Sequence, residues 1–177
     1  MTPVQRIELS LKIIVALVAV FGVWKFFADR ATEKQIAAEE RALSYIERFG
    51  HHDFVMARTK LLSFWKDYPQ FVSVINKRAV TDREYNNFIN IAYPIREDRA
   101  DIDAALFSIQ LFLDEVVYCR WSAVCDVTIV DGFFCDFVQG VSRVYAPFYA
   151  RLSEDIASQP LDAEIRRFAA SCRSSKR

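Results

Sequence analysis

IDAALFSIQLFLDEVV, from Ile102 to Val117, decides the fold. Its apolar residues Ile102, Ala105, Leu106, Ile109, Phe112, Leu113, Val116 and Val117 recur at intervals of three and one, which places them on one face of a helix of about 20 residues. A half-buried strand would alternate with period two. After a break near Arg120 to Cys125, Asp126 is an N-cap for a second helix, whose face is Val130, Phe133, Phe134, Phe137, Val141, Val144, Tyr145 and Phe148. A short link between two such helices predicts an antiparallel hairpin at the centre of the core. Pro147 should bend the second helix or end its regular part.

Working outward, Leu161 to Ala170 is expected as a last helix after Pro160, with 171–177 as a polar tail. Upstream, Thr81 and Glu84 have the spacing of a capping box ahead of Tyr85 to Tyr93, and Pro94 stops that helix. Phe71 to Lys77 reads as a short helix, and Phe54 to Tyr68 as a longer one ending before Pro69. Gly50, His51 and His52 separate it from a helix over Thr32 to Phe49, with Thr32 as its N-cap. Four glycines and five prolines in 177 residues disfavour turn-rich β architectures, so the fold class is all-α, a small helical bundle built around the hairpin.

The N-terminal stretch differs in kind. Ile13 to Trp24 carries no charge and is apolar all round, unlike the one-sided pattern of a core helix. Lys12 and Lys25 can snorkel towards headgroups, and Trp24 favours the interface, so 9–28 is expected as a single-pass transmembrane helix of the signal-anchor type. A cleaved secretory signal is the competitor, with Val20-Phe21-Gly22 as its one passable cleavage site; Trp24 to Phe27 continue the apolar face beyond it. The expected organisation is an N-terminal tail at 1–8, the transmembrane helix at 9–28, a helical stalk at 29–49, a helical domain at 50–170 and the polar tail. Arg6 and Lys12 stand before the span against Lys25, Arg30 and Lys34 after it, which leans the soluble domain to the cytoplasmic side of the cell inner membrane. Ile36, Leu43 and Ile46 stand at heptad-like intervals that would permit a homo-oligomeric stalk.

Phe112-Leu113-Asp114-Glu115-Val116, then Arg120, Asp126 opening the next helix, and Arg143-Val144-Tyr145 with Pro147 resemble an uncharacterised bacterial family, domain-of-unknown-function family 4760. The resemblance covers the anchor and Leu106 to Leu152, with Trp121-Ser122-Ala123 standing where a glycine is expected in the turn. It implies an N-terminal membrane helix and a small helical domain, and it implies no activity.

Chemistry is sparse in the sequence. Lys plus Arg equals Asp plus Glu, at 23 each and interspersed, so there is no electrostatic footprint for nucleic acid. Cys119, Cys125, Cys135 and Cys172 form no Cys-x-x-Cys, and both histidines lie far away at His51 and His52, so no metal site is expected. Cys119 and Cys125 flank the turn and could pair if the domain faces an oxidising compartment; in the cytoplasm they would be reduced packing residues. Asp114, Glu115 and Asp126 form a candidate partner-binding edge, and their plainer reading, with Asp131 and Asp136, is helix caps and a solvated face. His51-His52-Asp53 reads as a polar helix break. Glycines only at 22, 50, 132 and 140 leave no phosphate-cradling loop, and no catalytic residue or cofactor is expected. The aromatic group Phe133, Phe134, Phe137, Tyr145, Phe148 and Tyr149 is core or the lining of an apolar pocket.

The leading expectation is a membrane-anchored protein-interaction module, a scaffold or accessory subunit, with the lipid bilayer and another protein as partners. The alternatives are an envelope regulator or phage-exclusion effector, and an enzyme with an unfamiliar site among Asp114, Glu115, Asp126 and Cys119.

Overall fold

The computed structural model describes the backbone of residues 3–156 and 160–175, and the side chains of 17–155 and 160–172. Among the described residues it is entirely helical: α1 (Pro3–Phe49), α2 (His52–Lys66), α3 (Pro69–Lys77), α4 (Asp82–Ala92), α5 (Arg99–Trp121), α6 (Val127–Val144), α7 (Ala146–Ile156) and α8 (Ala163–Ser175).

α5 is the spine. All eight positions picked out by its periodicity are buried, and Cys119 and Gln110 join them. Its most extensive neighbour is α2, where Phe54 meets Phe112 at 4.6 Å between ring centroids, while α6 packs most extensively on α8. α5 and α6 do touch, through Phe112 and Phe134 and through the Arg120 to Asp131 ion pair at 2.5 Å. The core is therefore distributed over α2, α5, α6 and α8 rather than centred on one hairpin.

Local signals set the ends of several helices. Thr81 accepts from the Glu84 amide while Glu84 accepts from the Thr81 amide, a complete capping box on α4. Asp126 caps α6 through the Ile129 amide at 2.9 Å. α5 ends in a Schellman motif: the Val124 amide donates to the Cys119 carbonyl at 3.1 Å and the Ala123 amide to that of Arg120 at 3.4 Å. The position that motif holds in the left-handed region is Ala123, at φ 54°. α6 stops at Val144, and α7 starts one residue before Pro147, where a proline costs no hydrogen bond.

Three expectations change. Thr32 caps nothing: it lies inside the unbroken α1, its hydroxyl donating back to the Ala28 carbonyl at 3.1 Å, because no glycine or proline interrupts the helix there. Phe133 is exposed, since Phe134 and Val138 take the inward side of α6. α8 continues to Ser175, so 171–175 is helix and not tail, and Cys172 is buried within it.

α1 reaches the bundle only from Ala37 onward, where Ala38 accepts from the Asp126 amide at 3.1 Å and Ala42 is buried. Ile46 packs on the core, while Ile36 and Leu43 point outward. Among the described residues no helix is long and apolar enough to cross a membrane. From Leu17 onward the apolar run meets Lys25, Asp29 and Arg30; the first part of 9–28, including Lys12, lies outside the described side chains.

Candidate functional site

The residues singled out from sequence do not converge. Asp114 is half-buried on α5 and receives the Gln110 carboxamide at 3.3 Å, and burial pushes its carboxyl above the usual range. Glu115, one position on, points outward to Arg48 at 2.7 Å. Asp126 is occupied as the cap of α6. Among the described residues no three metal-ligating side chains gather. Trp24 and Lys25 lie exposed on the projecting part of α1. His51 and Asp53 help to line a shallow depression of about 470 Å³ beside the Arg48 to Glu115 pair.

Cys119 and Cys125 are joined in a disulfide that closes the α5 to α6 turn, with a Cα separation of 5.3 Å. A second disulfide joins Cys135 on α6 to Cys172 on α8, Cα atoms 5.6 Å apart. No cysteine is left free. The second pair had no signature in the sequence, because spacing does not encode connectivity.

Between α5 and α6, Arg120 is held by both Asp131 oxygens at 2.5 and 2.8 Å and lies over the rings of Trp121 and Phe168. The pair raises its pKa further, so it is a fixed cation. Its geometry is that of a largely buried brace between the two helices.

Two surface features remain unabsorbed. Along the outer face of α5, Phe107, Leu111 and Tyr118 are exposed in a stripe, one to two helical turns apart. At the end of the bundle formed by α2, α3, α4 and the close of α6 lies a groove of about 580 Å³. Leu62, Trp65, Val72, Ile75, Tyr85 and Val144 wall it, with Arg78, Asp82 and Arg143 among its polar residues. Its floor is fixed by the Tyr85 hydroxyl donating to the Val144 carbonyl at 2.6 Å, and burial pushes that phenol's pKa up. Trp65 stacks on Tyr85 at 6.0 Å, and Phe71 stacks on Phe88 at 3.7 Å.

No family model, curated protein or solved structure matches the chain.

Proposed function

We propose that the chain is a membrane-anchored helical module that acts by binding another protein. The observation behind this is where large apolar side chains remain uncovered. On α1, Leu17, Val18, Val20, Phe21, Val23, Trp24, Phe26 and Phe27 are each 55–67% exposed and surround the helix on all sides. A continuous apolar surface of that kind is unstable in water and requires lipid or protein around it. With Leu9 to Ala16 preceding it in sequence, the combined run has the length of a membrane span. The α5 stripe is smaller and flanked by charge, as a protein-binding surface is.

We further propose that the helical domain, with α5 and α6 folded back across the Cys119 to Cys125 link, lies outside the cytoplasm. Two disulfides that use every cysteine support this over the small difference in flanking charge. An envelope role is the reading this placement favours among the alternatives.

The test is a full chain carrying a photo-crosslinking residue at Leu111 or Tyr118, expressed in cells whose membranes are then washed at alkaline pH. Retention in the membrane pellet with a discrete adduct of constant mass is the expected result. Release by the wash would remove the anchor, and the absence of an adduct at both positions would remove the interaction surface.

A further inference from the structure

We propose that the groove between α2, α3, α4 and the end of α6 binds a single-chain amphiphile with an anionic head, such as a medium-chain fatty acid. The site does not depend on whether α1 enters a membrane.

Three observations combine. The walls are aliphatic and aromatic and the polar residues are few, a composition and size typical of small-ligand sites, which run from roughly 300 to 1,000 Å³. One wall, α3, buries none of its residues although its apolar side faces the groove through Val72 and Ile75. It is therefore a helix whose apolar surface is still without a full partner. The third observation is charge. Arg78 is committed to Glu84, at 2.8 and 3.2 Å, whereas the exposed Arg143 has no ion-pair partner among the described residues. Asp82 is the opposing charge in the groove, and it sits in the first turn of α4, where the helix N-terminus offsets it. Lys66 and Lys77 line the adjoining depression on the other side of α3. Across both depressions, Lys66, Lys77, Arg78 and Arg143 outnumber Asp82 and Glu84, so the local field favours an anion.

The chemistry also favours an amphiphile over a peptide. Along α2, α3, α4 and α6 the amides are engaged within the helices, so an extended chain finds backbone to pair with only at the short link of Arg78, Ala79 and Val80. Hydrocarbon needs no such partner, and its head requires only the guanidinium of Arg143.

The experiment uses the full chain with Trp24→Phe and Trp121→Phe, held in solution by a non-ionic amphipathic polymer, so that Trp65 is the sole indole. Decanoate should change the Trp65 emission saturably, and decyltrimethylammonium should act at least tenfold more weakly. Arg143→Glu should weaken decanoate at least tenfold, while Arg143→Lys and the remote Lys34→Glu should leave it within about twofold, all with unchanged thermal midpoints. A non-saturating response of equal size for both head groups would overturn the proposal, as would decanoate binding indifferent to Arg143→Glu. Binding of an acidic amphipathic peptide with none of decanoate would also overturn it and assign the groove to a protein.

Discussion

Ala123 occupies a backbone conformation that glycine adopts at little cost and alanine does not. Ala123→Gly should therefore raise stability, by about 0.5–1 kcal/mol once the greater freedom of glycine in the unfolded chain is deducted. Chemical denaturation of the detergent-solubilised chain would check it. Asp114 and Gln110 pose a different strain: Asp114 Oδ1 and Gln110 Oε1 are both buried acceptors without a donor. A carboxyl whose folded pKa is raised favours the protonated form on folding, so its penalty is absent at low pH and grows as pH rises through the unfolded and then the folded value. Asp114→Asn supplies a donor for Gln110 and should stabilise the protein at neutral pH by about 1 kcal/mol, with the gain fading in acid. Glu84 has the opposite sign. Arg78 and the Thr81 cap hold its carboxyl down at about 2 from an ordinary 4.5, so its contribution is complete above 4.5 and is lost as pH falls towards 2. Carboxyl chemical shifts followed against pH would place that midpoint.

At the level of elements, α6 is tied in two ways. The Cys135 to Cys172 bridge closes a loop with a sequence separation of 37, against 6 for Cys119 to Cys125. Chain entropy alone gives about 4 kcal/mol for the longer loop and about 2 kcal/mol for the shorter. Replacing each pair with serines should reproduce that order in denaturant midpoints. Asp131→Asn should cost about 3 kcal/mol, because it leaves the largely buried Arg120 without its counter-charge. α5 was legible in the sequence because one face of it is buried along nearly its whole length, so periodicity and burial coincide there. α4 was legible because Thr81 and Glu84 act within one turn. Phe133 was not, since which side of α6 faces inward depends on Phe49, whose ring wedges against both Phe133 and Phe134. Cys172 was hidden in a segment that reads as polar, and its significance rests on a residue 37 positions away. The groove was hidden for the same reason: Leu62, Tyr85 and Val144 share no local pattern, and only the packing of three separate helices makes them neighbours.

For the whole molecule, the proposed placement has a direct reading. Reporter fusions to the C-terminus should be active only in the form that works outside the cytoplasm, and thiol-blocking gels should show all four cysteines oxidised in cells. Fusions active only inside would reverse the placement. A further consequence follows from α1 passing from Pro3 to Phe49 without a break and then being gripped at Ala38 by the Asp126 amide. A rod of 47 residues, about 70 Å long, fixes both the height and the compass bearing of everything mounted on it. Adding one residue between Arg30 and Lys34 would swing the α5 stripe by about 100° while lifting it by only about 1.5 Å; adding seven would restore its bearing to within about 20° and raise it by about 10 Å. If the partner is itself fixed in the membrane, the single insertion should abolish the crosslink at Leu111. The seven-residue insertion would then report how much standoff the pair tolerates, so that α1 serves as a ruler for locating the other half of the assembly.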